Sequence, residues 1–331
     1  MSFAVILPFL RPIAHLIEDP AITEIMVNGS GRVFVEREGR LEFVDQVSLR
    51  EQNLRVAVRN LARALGDDIS EERPLLDSRL PDGSRVAAAL PPISLGGTTL
   101  TIRKFQTQQF TAEALVAIGT VTAGELQALQ TAIDARHNIL ISGGTGTGKT
   151  TLLNALTAYL PASDRVVLIE DTAELQLEPG NLVRFEARRE QPGLPAVSIR
   201  DLLRATLRHR PDRILVGEVR GGEAFDLLQA LNTGHSGTLS TIHANSAEQA
   251  LSRFTSCVLQ SGVDLPYGAI RYGIAECLQV LVHLERRAGR RVVTGLVRVQ
   301  HYDAAQDKYD LEPLAERRHA AGAVRQEFPD V

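Results

Sequence analysis

The most chemically informative stretch of the sequence is a glycine-rich octapeptide. Gly143-Gly-Thr-Gly-Thr-Gly148-Lys149-Thr150 matches the pattern GxxxxGK[ST] in full. Glycines at this spacing let the backbone curl, so that successive N–H groups point at a phosphate, and the helix that follows adds its positive N-terminal dipole. The motif therefore predicts a P-loop that binds ATP through Gly143, Gly144, Thr145, Gly146, Thr147, Gly148, Lys149, Thr150 and Thr151.

Two side chains of this loop are expected to contact the phosphates and the metal ion. Lys149 would neutralise β- and γ-phosphate oxygens, and the Thr150 hydroxyl would join the shell of a Mg²⁺ ion. Lysine is rare in this arginine-rich chain, whose other lysines are Lys104 and Lys308, so the position of Lys149 is informative. ATP and Mg²⁺ are the predicted cofactors.

Hydrolysis also needs carboxylates that order the metal and the attacking water, and two apolar runs end in such residues. One is Ile214-Leu-Val-Gly-Glu218, and the other is Val166-Val-Leu-Ile-Glu170-Asp171. Ligands of α/β sheets bind at the carboxyl ends of strands. Glu218 is predicted to act on a metal-bound water or as general base, Glu170 to polarise water, and Asp171 to help hold the metal, with Glu174 in support. Whether Glu170 or Glu218 takes the proton stays open.

Two histidines stand at the two ends of a Ser/Thr-rich run, Thr233–Ser246. They are His235 and His243, and the chain has eight histidines in all. A lone histidine is more often a core or surface residue, but a pair at both ends of one predicted strand favours a site. We expect them to sense the γ-phosphate or to contact another subunit.

The elements that must position these residues fall into two groups. Residues 1–105 are predicted to form a small α+β domain, with helices at 9–18 and 48–65 and strands at 23–28, 32–36, 40–44, 85–90 and 98–104. Residues 106–111 are polar and lack periodicity, which predicts a linker. From residue 112 to 331, strands and helices alternate as in an α/β domain with a parallel-sheet core.

Composition limits the class of protein. The 331 residues are 44% hydrophobic and 23% charged, with a net charge of −4, which is ordinary for a soluble globular protein and disfavours general attraction to nucleic acid. Cys257 and Cys277 form no CxxC pair, which excludes a thiolate zinc site and fits a reducing cytoplasm. The apolar run Phe3–Leu10 is too short to span a bilayer and lacks the features of a signal peptide.

In this order, the segments resemble the traffic ATPases of type II and type IV secretion. The resemblance rests on the P-loop, the acidic box Ile169–Glu174, the run Arg208–Arg220 and the histidine box Thr233–Ser246. The short N-terminal domain and the phrase Glu24–Glu36 resemble the conjugation branch, especially TrbB. The four-cysteine metal motif usual in the type II assembly branch is absent from the sequence. The pilus-retraction branch is a neighbouring alternative.

The resemblance implies a RecA-like ATPase domain and a homohexamer that holds nucleotide between its N- and C-terminal domains. It also implies arginines that reach the phosphates, since a guanidinium offers planar, bidentate donors to phosphate charge. By position these are Arg85 and Arg103, with Arg79 as a further candidate and a surface salt bridge as the alternative for each. Arg220 is a candidate for the subunit interface.

The implied function is ATP hydrolysis that powers substrate transfer or conjugative pilus assembly. The protein would be cytoplasmic and peripheral to the inner membrane, where channel components are its expected partners; stable sequence-specific nucleic-acid binding is not expected. Alternatives are a motor of pilus assembly, pilus retraction or type II secretion, a DNA-translocating RecA-like motor, and a nucleotide-gated scaffold without turnover.

Overall fold

In the computed structural model the chain divides into two compact units, and the described residues are 6–29, 31–37, 39–45, 47, 49–105, 110–177, 180–191 and 193–315. The first unit is Met1–Gln108 with Arg189–Ala196, and the second is Gln109–Arg188 with Val197–Val331. The sequence had assigned Arg189–Ala196 to the ATPase domain, whereas Arg189 forms an ion pair with Asp77 of the first unit. Residues 106–109 of the predicted linker lie outside the described residues.

The first unit contains an antiparallel sheet. Its helical segments are a 3₁₀ turn (Arg11–Ile13), α1 (Ala14–Glu18) and α2 (Glu51–Ala64), and its strands are β1 (Ile22–Asn28), β2 (Arg32–Arg37), β3 (Arg40–Val44), β4 (Leu75–Arg79), β5 (Arg85–Ala89) and β6 (Thr99–Arg103). Among the described residues, the strand order is β3-β2-β1-β6-β5-β4. The predicted α+β composition of this part agrees with these elements.

Helix α2 shows how the apolar pattern of the sequence builds the core of the first unit. Its apolar residues recur at helical spacing, and Leu54, Val58 and Leu61 are buried as the pattern predicts. The strands alternate instead, so that Val86 and Ala88 of β5 enter the same core while Arg85 and Ala87 do not. The helix begins after Arg50, and Ser48, where the predicted helix starts, lies outside the described residues. Strand β4, of which only Leu76 is buried, was not predicted from the sequence.

The second unit is an α/β structure built on a mixed sheet. Its helices are α3 (Ala112–Ala117), α4 (Ala123–Asp134), α5 (Lys149–Thr157), α6 (Ile199–Thr206), α7 (Glu223–Asn232), α8 (Ala247–Leu259) and α9 (Tyr267–Cys277). Its strands are β7 (Ile139–Gly143), β8 (Val166–Glu170), β9 (Leu182–Glu186), β10 (Arg213–Val219), β11 (Leu239–His243), β12 (Val280–Arg287), β13 (Arg290–Asp303) and β14 (Lys308–Pro313). In the described part of the chain their order is β14-β13-β12-β7-β11-β10-β8-β9.

Parallel pairing joins β12, β7, β11, β10, β8 and β9, whereas β13 and β14 add antiparallel strands at one edge. The α/β class and the parallel core predicted from the sequence are therefore confirmed. Both faces of the core are covered, because Ile139 and Ile141 of β7 pack with α3–α5 while Leu140 packs with α6–α9. This explains why every residue of β7 and β8 is buried and why most of them are apolar. Among the described residues, no helix combines the length and hydrophobicity needed to cross a bilayer.

Candidate nucleotide site

The P-loop joins the end of β7 to the start of α5. Gly143, Gly146 and Gly148 have φ values of 155°, 71° and 96°, a region that side-chain-bearing residues rarely adopt. A Cβ on Gly143 would lie 2.5 Å from the carbonyl oxygen of Leu284 and 2.6 Å from Thr147 Oγ1. Glycine at this position is thus required both by conformation and by space. The loop has the curled backbone that a phosphate cradle needs.

Lys149 is buried within this loop. Its Nζ donates to the carbonyl oxygens of Gly143 at 3.1 Å and Gly144 at 2.8 Å, and it lies 3.4 Å from His243 Nδ1. Burial lowers the pKa of Lys149, while the nearby Glu218 carboxylate acts in the opposite direction. The structure therefore places the predicted phosphate-binding cation inside the curl of the loop.

Parallel pairing brings the other predicted residues to the same edge of the sheet. His243 at the end of β11 is the register partner of Gly143 at the end of β7. Val216 of β10 is the register partner of Ile169 of β8, and the residues that follow these two are Gly217 and Glu170. Thr150 and Thr151 lie in the first turn of α5. The carboxyl ends of β7, β8, β10 and β11 thus converge, as expected for a ligand site in an α/β sheet.

Glu218 is directed by an irregularity in β10. Between the pairs Val216–Ser240 and Val219–Ile242 the register shifts by one residue, so β10 carries one residue more than β11. Such bulges redirect side chains next to sites. The carbonyl oxygen of Gly217, within the bulge, accepts a 2.6 Å hydrogen bond from Thr241 Oγ1. The interruption of an apolar run by Gly-Glu was the sequence signal for this feature.

The Glu218 carboxylate lies between His243 and Arg220. Its Oε2 accepts from Arg220 Nη2 at 2.8 Å, and its Oε1 is 3.0 Å from His243 Nε2. That Oε1 is buried, and the His243 contact lacks hydrogen-bond geometry. Burial lowers the pKa of His243, so its neutral form is favoured. A buried carboxylate oxygen with spare acceptor capacity beside the P-loop is suited to a metal-bound or attacking water.

Arg220 links the two acidic strand ends. Its Nη1 donates to Asp171 Oδ2 at 2.9 Å, while its Nη2 is bonded to Glu218. The hydrogen bond to Glu218 is the main cause that raises the pKa of Arg220. Asp171, predicted to help hold the metal, is therefore paired with an arginine in this structure, and Arg220 contacts the site itself.

Glu170 has different surroundings. Its Oε1 accepts hydrogen bonds of 2.8 Å from the backbone N–H groups of Glu174 and Leu175, and its Oε2 is 3.5 Å from Arg184 Nη2. Burial raises the pKa of Glu170, although the two backbone donors act against that shift. These contacts tie Glu170 to the loop that follows β8. Glu174 contributes its backbone N–H to the same arrangement.

The structure separates the two histidines of the box. His235 lies before β11 and His243 ends it, and a five-residue strand spans roughly 13 Å. His235 Nδ1 is 3.2 Å from the carbonyl oxygen of Ala230 at the end of α7. His243 therefore lies beside the P-loop and His235 does not, which leaves subunit contact as the remaining prediction for His235.

The predicted arginines lie in the first unit. Arg79, Arg85 and Arg103 are neighbours across β4, β5 and β6, and Arg103 is opposite Glu24 of β1. Each arginine is adjacent in sequence to a buried residue: Leu80, Val86 and Ile102, respectively. Because successive side chains of a strand point to opposite faces, the arginine row occupies the sheet face away from the core. These arginines were predicted from the sequence one by one, and their arrangement in one row emerges only from the strand pairing.

The site also contains residues that the sequence analysis missed. A cavity of about 240 Å³ adjoins the P-loop, with a lining of Gly144, His243, Ala244, Asn245, Gln249 and Arg253. Gln249 and Arg253 are one turn apart on α8, which no local motif connects to the P-loop. Arg291 of β13 also donates to the P-loop, through its Nε to the carbonyl oxygen of Gly146. Only the tertiary pairing of distant segments reveals these contacts.

Comparison with known proteins places the chain in a family. The family model described as type II/IV secretion system protein matches residues 10–311. The conjugal transfer protein TrbB of Rhizobium radiobacter is 37% identical over 290 residues, covering 86% of each chain. The type IV secretion system protein PtlH of Bordetella pertussis is 39% identical over 301 residues, which covers 82% of this chain and 89% of that protein.

A solved structure supports the same fold. The chain resembles the Legionella pneumophila ATPase DotB with a TM-score of 0.60 and 19% identity, over 89% of this chain and 80% of DotB. At that identity the likeness bears on the fold alone. The family model and the curated relatives confirm the resemblance drawn from the sequence: this chain belongs to the type II/IV secretion system protein family and is similar to its TrbB members.

Proposed function

We propose that this protein hydrolyses ATP and thereby powers a type IV secretion or conjugative transfer apparatus. The observation that carries the proposal is the contiguous set formed by the P-loop, Lys149, His243 and Glu218 at one edge of the parallel sheet. Family membership supports the transport role, since the similar proteins are named for conjugal transfer and type IV secretion. We assign the second unit to the RecA-like class of P-loop domains.

The roles of the residues follow from their contacts. Backbone N–H groups of the P-loop bind the phosphates, and the Lys149 ammonium leaves its carbonyl partners to neutralise phosphate oxygens. Bound Mg²⁺ would offset charge on the β- and γ-phosphates, with Thr150 and, through water, Glu218 as the residues that hold it, and Asp171 in support. Glu218 orients the attacking water and accepts its proton, while His243 and Arg220 hold the Glu218 carboxylate in place.

The finer organisation is also part of the proposal. We assign residues 1–105 to an N-terminal domain, 106–111 to a linker and 112–331 to the ATPase domain, apart from Arg189–Ala196, which group with the first unit. Arg85 and Arg103 contact phosphate in a homohexamer, and their position in one arginine row supports a common role. The hexamer lies in the cytoplasm and binds inner-membrane components of the channel.

A lysine pair provides the test. Lys149→Ala is expected to reduce phosphate release from ATP–Mg²⁺ to background, because both the phosphate counter-charge and the buried ammonium are lost. Lys308→Ala, in the exposed start of β14, is the matched control and should keep wild-type turnover. Normal turnover by Lys149→Ala would contradict the proposed function, and so would a wild-type protein that releases no phosphate.

A further inference from the structure

The hairpin of β12 and β13 ends in four arginines. Arg286 is directly opposite Arg291, and Arg287 is opposite Arg290, across a two-residue turn in which Ala288 and Gly289 have φ values of 47° and 79°. Like charges placed directly opposite each other destabilise a strand pair. Two such pairs in succession indicate that this sequence is not optimised for hairpin stability alone.

One of these arginines contacts the P-loop. Strand β12 is the parallel neighbour of β7, and Leu284 is the register partner of Gly143, so the hairpin continues beside the loop. Arg291 Nε donates to the carbonyl oxygen of Gly146 at 3.0 Å. Its Cδ would lie 3.3 Å from a Cβ built on Gly148, so its stem covers the outer side of the loop. Arg290 immediately precedes Arg291 in β13, so its side chain points to the other face of the ladder.

The direction of this hydrogen bond has a consequence for the neighbouring amide. The carbonyl of Gly146 and the N–H of Thr147 belong to one planar trans peptide, in which they point in opposite directions. A donor that holds the carbonyl on the outer side of the loop therefore directs the Thr147 N–H towards the inside. The inside of the curl is where P-loop amides meet phosphate.

We propose that Arg291 is a positioning residue for nucleotide binding, which fixes the Gly146–Thr147 peptide so that the Thr147 N–H donates to a phosphate. This role rests on the proposed function of the same site. Because the amide contacts phosphate in the ground state and in the transition state alike, its loss weakens binding more than turnover.

The test uses full-length variants with mant-ADP as the binding probe and phosphate release as the activity. Arg291→Ala should raise the Kd for mant-ADP and the KM for ATP about five- to tenfold, as expected for the net contribution of one hydrogen bond, and should change kcat less than about twofold. Arg291→Lys keeps the charge but has a methylene where Nε stands, so it should resemble Arg291→Ala. Arg290→Ala is the matched control and should bind like the wild type.

Three binding results would overturn the proposal. They are unchanged affinity in Arg291→Ala, full affinity in Arg291→Lys (which would show that charge alone matters), and an equal loss in Arg290→Ala. A lower thermal stability of Arg291→Ala together with a loss of both binding and kcat would also contradict the proposal, since that pattern indicates a structural role. A wild-type protein that does not bind mant-ADP would contradict the proposed function itself, whereas normal wild-type binding limits any failure to Arg291.

Discussion

Glu170 and Glu218 both end apolar strands, yet their carboxylates have different partners. Glu170 accepts from two backbone N–H groups of the following loop, whereas Glu218 lies among Arg220, His243 and the P-loop lysine. A carboxylate that already serves two amides is less free to bind water. We therefore infer that Glu218 takes the proton and that Glu170 holds the loop.

A pair of substitutions at Glu170 tests this division. Glu170→Ala leaves the N–H groups of Glu174 and Leu175 without their acceptor, which should cost about 1–3 kcal/mol for each in the free energy of unfolding. Glu170→Gln keeps an oxygen acceptor and should retain both stability and most of the ATPase turnover. Urea unfolding followed by circular dichroism suits this tryptophan-free chain. Loss of turnover in Glu170→Gln with stability intact would contradict the inference.

The stability difference between the wild type and Glu170→Gln should depend on pH with a definite sign. Burial raises the pKa of Glu170 above its ordinary value of 4.5, so the folded protein binds this proton more tightly than the unfolded chain does. Stability contributed by the protonated group is therefore lost as pH rises above 4.5 through the raised value. The wild type should lose stability relative to Glu170→Gln over that interval. A stability difference that does not change with pH, or that changes in the opposite direction, would contradict the sign.

The site residues that could be predicted from the sequence are those that lie within short, recognisable motifs. The P-loop, Glu218 and His243 were each predicted from a short run of known spacing, and the fold brings all three together. Arg291 and Arg253 carry no such signal, because their contacts with the site arise from the pairing of β12 with β7 and from the packing of α8. Nor could spacing show that Asp171 pairs with Arg220.

At the scale of elements, the loop between β7 and α5 depends on one glycine more than on the others. A Cβ on Gly143 would overlap the Leu284 carbonyl on the neighbouring strand β12, which cannot move without breaking the sheet. Gly143→Ala should therefore weaken mant-ADP binding at least tenfold, a change of about 1.4 kcal/mol or more. Isothermal titration or fluorescence anisotropy would measure it.

The matched control is Gly124→Ala in α4. A Cβ there meets nothing within 4 Å, and alanine is the better helix former. This variant should bind nucleotide like the wild type and be no less stable. Wild-type affinity in Gly143→Ala would show that the loop does not need the conformation described here.

The succession of strands and helices along the second unit was predictable because many of its strands are apolar runs bounded by helices, whereas the order of the strands within the sheet was not predicted. The helices α3 and α4 and the strands β4 and β14 were not predicted. Strand β14 alternates weakly, with Tyr309 as its buried residue, and owes its place to pairing with β13. The side chain of Arg213 is a similar case: it is 1% exposed and is paired with Asp164, a burial that composition alone argues against.

At the scale of the whole molecule, we expect a ring of six chains. Light scattering or native mass spectrometry of the full-length protein should give six times the mass of one chain in the presence of ATP and Mg²⁺. Arg85→Ala, which removes a proposed phosphate contact in the first unit, should reduce turnover while leaving the assembled mass unchanged. A protein that stays monomeric with ATP and Mg²⁺ at every concentration would contradict the hexamer.

The role of Glu218 in hydrolysis is tested by comparing nucleotide binding with phosphate release in Glu218→Gln. The glutamine keeps the size and the hydrogen-bonding oxygen of Glu218 but cannot take a proton from water. We expect the variant to bind mant-ATP with wild-type affinity and to release phosphate about 10²–10⁴ times more slowly, the range for loss of a general base. Undiminished phosphate release by Glu218→Gln would contradict this role.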